Sequence, residues 1–118
     1  MVVYIDEFKC NQDIVDQFCL GDDEQREQVL NLLNSSEVLL AWYGGGAWDG
    51  QAMVVYKSEG KLYEVNGSHC SCYGLEGQWD PEETSYKALA MRNPCDFDRD
   101  WDFIDGYKEM LELIKDDK

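Results

Sequence analysis

The chain has 118 residues, 44% of them hydrophobic, with 4 Trp, 7 Tyr and 4 Phe; that is enough apolar area for one core and too short for two, so a single compact acidic domain over 1–118 is expected. Its 25 Asp and Glu outnumber 10 Lys and Arg, giving a formal net charge of −15, far outside the roughly 2–8 suited to a small soluble domain. Charge of that sign repels phosphate backbones and anionic lipid, which argues against direct binding to nucleic acid or membrane and in favour of a basic partner.

Residues 2–5, VVYI, suit a short first strand, and Ile14, Val15 and Phe18 recur at helical spacing before Gly21. Asp22 with Gln25 three residues on is a capping pair, and Val29, Leu30, Leu32 and Leu33 supply an apolar face, so a helix is predicted over 23–34 and a stop at Asn34 to Ser36. VLLAWY (38–43), QAMVVYK (51–57) and KLYEV (61–65) are β-branched and aromatic runs between glycine-containing breaks, the pattern of an antiparallel meander. Ser58, Glu59 and Gly60 form a short hairpin loop. Asn66-Gly67 is the pair that favours a type I′ turn, which would return residues 68–73 as a fourth strand.

Asp80-Pro81-Glu82-Glu83 reads as an N-cap, a first-turn proline and acids facing the positive end of the helix dipole, so a helix is predicted over 81–92, with Trp79 read either as a core aromatic or as the helix's hydrophobic staple. Phe103, Ile104, Tyr107, Met110, Leu111 and Ile114 repeat every three or four residues and predict a helix over about 100–115. The fold class is therefore α+β: an antiparallel β-meander of about four strands with helices packed on one face.

The run GSHCSCYGLEGQWDPEE (67–83) sets the only histidine, His69, beside Cys70 and Cys72. Imidazole and thiolate are zinc ligands, with Cys95 a conceivable fourth. The spacing argues otherwise: on a strand, Cys70 and Cys72 share one face and His69 takes the other, out of reach of a common ion. A reactive thiol needs a nearby cation or helix N-terminus, whereas the surrounding carboxylates disfavour a thiolate. Five cysteines, an odd number, are expected as thiols rather than a disulfide frame. GxSxG, HExxH and a phosphate-cradling Gly-Lys loop are missing from the sequence. The expectation is thus no catalytic residue, no cofactor and no metal, the alternative being a zinc- or thiol-dependent protein using His69, Cys70 and Cys72.

Asp96-Phe-Asp-Arg-Asp-Trp-Asp102 places an aspartate at every second position, yet Trp101 and Tyr107 stand where a calcium loop needs Gly and Glu. If extended, Asp96, Asp98, Asp100 and Asp102 line one side at about 6.6–6.8 Å, near the roughly 6.8 Å of two phosphate steps along a DNA strand, with Phe97 and Trp101 opposite. In the competing reading Asp100 caps the last helix, and Asp102 and Asp105 complement its dipole. Exposed carboxylates at Asp22, Asp23, Glu24, Glu27, Asp96, Asp98, Asp100, Asp102 and Asp105, with Trp101 as an aromatic anchor, make up the expected partner-binding set.

The block from about Val38 to Met91, somewhat under half of the chain, carries GKLYEVNGSHCSCYGLEGQWDPEETSYKAL. It resembles a family of small uncharacterised acidic bacteriophage proteins with an NGSHCSCYGLEGQW-type run followed by an acidic Pro-Glu-Glu segment. The resemblance implies a phage origin and a bacterial host cytoplasm, and it carries over no catalytic residue. The sequence shows no run of 18 apolar residues and no basic leader in MVVYIDEF, which fits that cytoplasmic expectation. Charge and resemblance together lead to an inhibitor of a basic host or anti-phage defence protein: a CRISPR effector, a restriction or other nuclease, or a polymerase, engaged as a DNA mimic in its nucleic-acid groove. An immunity-type protein neutralising a toxin nuclease is the alternative in the same class. A homodimer requires an apolar patch to overcome like-charge repulsion.

Overall fold

The computed structural model describes residues 3–6, 8–19, 21–45, 49–70, 75, 77–91 and 101–115. In chain order these form β1 (Val3–Asp6), α1 (Asn11–Phe18), α2 (Asp23–Ser35), β2 (Glu37–Gly45), β3 (Asp49–Ser58), β4 (Lys61–Cys70), β5 (Glu82–Thr84), α3 (Tyr86–Ala90) and α4 (Trp101–Ile114). The five strands make one sheet in the order β1-β2-β3-β4-β5. Strands β2 to β5 form an antiparallel meander of four, its first three strands where expected and its fourth not the return strand expected over 68–73, and β1 is added parallel to β2, with Val3 opposite Leu40.

The β3–β4 turn is fixed by Glu59 (φ 53°) and Gly60 (φ 79°), with Ser58 opposite Lys61. Two central residues with positive φ define a type I′ hairpin, whose twist matches that of the flanking strands. The turn chemistry expected at Asn66-Gly67 is therefore found seven residues earlier, and β4 runs straight through Asn66 and Gly67 to Cys70. Gly67 serves close approach instead. A Cβ there would lie 3.0 Å from Leu75 Cδ2 and 3.1 Å from Phe18 Cε1, so the strand is bare at this point to let other chain pack onto it.

The fourth meander strand is Glu82–Thr84, which pairs with Leu62–Glu64 on β4 and occupies the predicted start of the 81–92 helix. Helix α3 begins later, at Tyr86, where the Ser85 hydroxyl accepts a hydrogen bond from the Ala88 N–H at 3.2 Å. Sheet pairing satisfies the backbone of 82–84 more completely than the free first turn of a helix does, so the tertiary contact overrides the local Asp-Pro-Glu-Glu preference.

Helices pack on both faces of the sheet rather than on one. Phe8, Ile14, Val15 and Phe18 from the α1 region and Val29 and Leu33 of α2 bury against Val38, Ala41, Ala52, Val54, Tyr56 and Val65. Leu89 of α3 and Phe103, Tyr107, Met110 and Ile114 of α4 bury against Leu39, Leu40, Trp42, Met53, Val55 and Leu62. Alternate residues of β2 and β3 thus belong to opposite cores, as strand geometry requires. A bulge at Leu39, between the Val38–Tyr56 and Leu40–Val55 pairs, turns Leu39 and Leu40 toward the same cluster. The two cores hold Trp42 stacked on Phe103 at 4.0 Å on one side and Phe8 against Tyr43 at 5.4 Å on the other.

Candidate partner-binding surface

Helix α2 begins as the sequence predicts. Asp22 Oδ1 accepts a hydrogen bond from the Gln25 N–H at 3.0 Å, satisfying one of the donors left open at a helix start. Asp23 and Glu24 occupy the first turn, where carboxylates complement the dipole, and Glu27 follows one turn on. All four acids are exposed. The one cation in this stretch, Arg26, is engaged by Asp16 of α1, so among the described residues no cation pairs with the acids at the start of α2.

Asp105 lies on the exposed side of α4. Burial of Phe103, Ile104, Tyr107, Met110 and Ile114 leaves Asp105, Lys108, Glu109 and Glu112 facing outward. Glu109 and Glu112 extend the acidic surface beyond the residues singled out from sequence; they follow from the same periodicity that located the helix, because the complement of an apolar stripe is its solvent face. Glu112 is bonded to Lys115 at 3.1 Å.

Because α2 and α4 cover opposite faces of the sheet, the fold groups Asp22, Asp23, Glu24 and Glu27 together but sets Asp105 apart from them. Trp101 and Asp102 are the first two residues of α4, so an extended carboxylate ladder reaching 102 is replaced there by helix. Asp96, Asp98 and Asp100 lie outside the described residues.

His69 and Cys70 occupy the last two positions of β4, in register with Gly50 and Asp49 of β3; Cys72 and Cys95 lie outside the described residues. Among the described residues no group of three or more His, Cys, Asp or Glu is placed to hold a metal ion. Of the other thiols, Cys10 is exposed and Cys19 is buried at the end of α1. Burial pushes the Cys19 thiol above its ordinary range, Asp22 raises it further, and Arg26 opposes the rise. That environment keeps the sulfur protonated.

The glycine-rich run around His69 has a structural role that the sequence only partly discloses. Leu75 is fully buried in the α1–α2 core and fills the space above Gly67. The Gly77 N–H donates to the Phe18 carbonyl at 3.3 Å. Gln78 accepts from the Ser68 N–H at 2.9 Å and donates to the Ser68 carbonyl at 2.7 Å, so its side-chain amide acts as one rung of a further strand on β4. Trp79 packs edge-on against Phe18 at 5.4 Å and parallel to Tyr56 at 6.2 Å, so of its two readings the core one holds.

One acid escaped the sequence reading. Glu64 is only 2% exposed, and its Oε1 accepts from the Asn66 side-chain amide at 2.9 Å. The alternation in LYEV, which sets residue 64 on the same side as buried Leu62, is the signal that could have found it.

No helix among the described residues is long and apolar enough to cross a membrane. No family model matches this chain, and neither a curated protein nor a solved structure shows significant similarity to it.

Proposed function

We propose that this chain is a small acidic binding protein, phage-encoded as its sequence resemblance implies, that inhibits a basic nucleic-acid-handling protein of the bacterial host or its defences by entering the groove meant for nucleic acid. The observation that supports this reading is the start of α2. Asp23, Glu24 and Glu27 stand exposed on a capped, core-anchored helix whose arginine is already engaged by Asp16. A rigid array of carboxylates costs little to order on binding, and a net charge of −15 steers it toward a cationic cleft. Asp105 and Glu109 on α4 are offset by about 6 Å along the helix axis, but Lys108 lies between them, so α2 offers the stronger field.

A competition assay tests the proposal. DNA complexes of a restriction endonuclease, a CRISPR effector nuclease and a bacterial RNA polymerase are titrated with the protein at about 50 mM and about 300 mM salt and followed by gel mobility. Displacement of DNA from at least one, weaker at the higher salt and lost in the D23N/E24Q/E27Q variant, is the expected result. Displacement that the triple variant retains removes α2 as the contact. Failure to displace DNA from any of them overturns the groove-occupying mechanism.

A further inference from the structure

Asn66-Gly67 does not form the turn that its composition favours, and β4 runs through it. The pair has a chemistry of its own. Gly67 has no Cβ to shield its backbone nitrogen, which attacks Asn66 Cγ as its proton departs; the new C–N bond closes a five-membered imide, and the side-chain nitrogen leaves as ammonia. Water then opens the ring at either carbonyl, giving aspartate or isoaspartate. In isoaspartate the main chain runs through Cβ and Cγ and is one carbon longer.

The fold restrains this reaction without abolishing it. Ring closure needs backbone torsions outside the extended range, so a paired strand opposes it, and Asn66 Nδ2 is held by donating to Glu64 Oε1 at 2.9 Å. On one side, Asn66 and Gly67 stand opposite Met53 and Ala52 of β3. On the other, pairing with β5 ends at Glu64 opposite Glu82, and among the described residues the Gln78 side-chain amide, bound to Ser68, continues that edge. Past Glu64 the outer edge of β4 thus meets a side chain where a strand would be, the kind of segment that opens locally before the whole fold does. The Asn66 side chain is exposed, so water and base reach it. A bulkier residue is not a free alternative at 67, because a Cβ there would meet Leu75 and Phe18 at 3.0 and 3.1 Å.

We propose that Asn66-Gly67 is a self-modification site, converted to isoaspartate or aspartate when the far end of β4 opens, and that conversion releases the segment docked there. The extra carbon of isoaspartate shifts Gly67 and Ser68 out of register with Ala52 and Gln51. That shift moves the bare backbone from beneath Leu75 and Phe18 and the Ser68 groups away from Gln78. Aspartate removes the amide that donates to Glu64, a side chain only 2% exposed, and sets a second carboxylate beside it. The chain has no means of restoring the amide, so the change runs one way. This inference is independent of the partner proposed for α2.

The test incubates the full chain at mildly alkaline pH, folded and in urea, and follows residue 66 by intact mass and peptide mapping. In the folded chain Asn66 should convert before Asn11, Asn31, Asn34 and Asn93. In urea it should convert about tenfold faster or more, tenfold being the effect of even a modest opening cost. Gln78→Ala should speed the folded chain's conversion about fivefold, the effect of losing two partly exposed hydrogen bonds. Gly60→Ala, strained at the distant hairpin, should convert like the parent. Converted protein should lose amide-exchange protection at Ser68 and Gly77 while Val54 and Leu62 keep theirs. An unmodified Asn66 in the folded chain, equal rates with and without urea, equal rates for Gln78→Ala and Gly60→Ala, or full protection at Ser68 and Gly77 after conversion would each overturn the proposal.

Discussion

The side-chain amide of Gln78 is bonded to both backbone groups of Ser68, ten residues earlier, at 2.9 and 2.7 Å. It continues the hydrogen-bond ladder of β4 past the end of β5, whose pairing stops at Glu64 opposite Glu82. Gln78→Ala should lower stability by about 1 kcal/mol, two partly exposed hydrogen bonds being worth modest net amounts. Urea unfolding should show a lower midpoint with an unchanged slope.

Gly67→Ala places a methyl group 3.0 Å from Leu75 Cδ2 and 3.1 Å from Phe18 Cε1, both in fully buried side chains. Overpacking of this kind costs about 1–3 kcal/mol, and Gly67→Val should cost more. Gly60→Ala is the useful contrast: its site is open but its φ is +79°, so only backbone strain of about 1 kcal/mol applies. Chemical denaturation of the three variants should rank Gly67→Val as the least stable.

The hydroxyl of Tyr107 on α4 donates to the Leu89 carbonyl of α3 at 2.6 Å, in a buried setting. Tyr107→Phe removes this buried hydrogen bond while the Met91 N–H still reaches the Leu89 carbonyl, so it should cost about 0.5–1.5 kcal/mol. Amide hydrogen exchange should show protection lost first in Leu89 to Met91, since α3 has only five residues and depends on tertiary contacts.

Asp22→Ala and Asp23→Asn separate the structural acid from the exposed one. Loss of the Asp22 cap should destabilise the fold by about 1 kcal/mol, whereas Asp23→Asn removes a dipole contribution of about 0.3–1 kcal/mol at most. Thermal melts at low salt should resolve the two, and only Asp23→Asn should alter partner association without the larger loss of stability.

Alkaline pH should unfold the protein early. Burial raises Tyr56 above its ordinary 10.0, with Tyr63 adding to the rise, and burial raises Tyr4, with Cys10 adding. Cys19 is raised from 9.0 for the reasons given above. Each group keeps its proton in the folded chain at pH values where the unfolded chain has released it. The folded state therefore binds more protons there, and stability, complete below about 9 for the thiol and about 10 for the phenols, is lost as pH rises above those values toward the raised values of the folded chain. Melting temperatures measured from pH 8 to 12 should decline, and Tyr56→Phe should make the decline shallower.

Much of the fold was legible in local pattern. The α2 cap at Asp22, the β3–β4 hairpin at Ser58 to Gly60 and the apolar period of α4 each depend on residues close in sequence, and each was found in place. The placement of helices on both faces, in place of the one face expected, is also written in the chain: LLAWY and AMVVY are unbroken apolar runs, as strands buried on both sides must be, rather than the alternation of a half-exposed sheet. The carboxylates at the start of α2 were legible because capping and dipole preferences are local.

What sequence alone determined is the periodic, capped and charged character of each segment, since propensity and patterning act over a few residues. Tertiary structure decided whether Asn66-Gly67 turns or runs straight, whether Glu82–Thr84 becomes strand or helix, and which acids share a surface. In each instance the deciding partner lies far along the chain: Phe18 and Leu75 above Gly67, β4 beside Glu82–Thr84, and the sheet itself between α2 and α4. A backbone that finds a complete set of hydrogen bonds and a close-packed neighbour gains more than a favourable turn or cap supplies, so contacts between distant residues overrode the local preference.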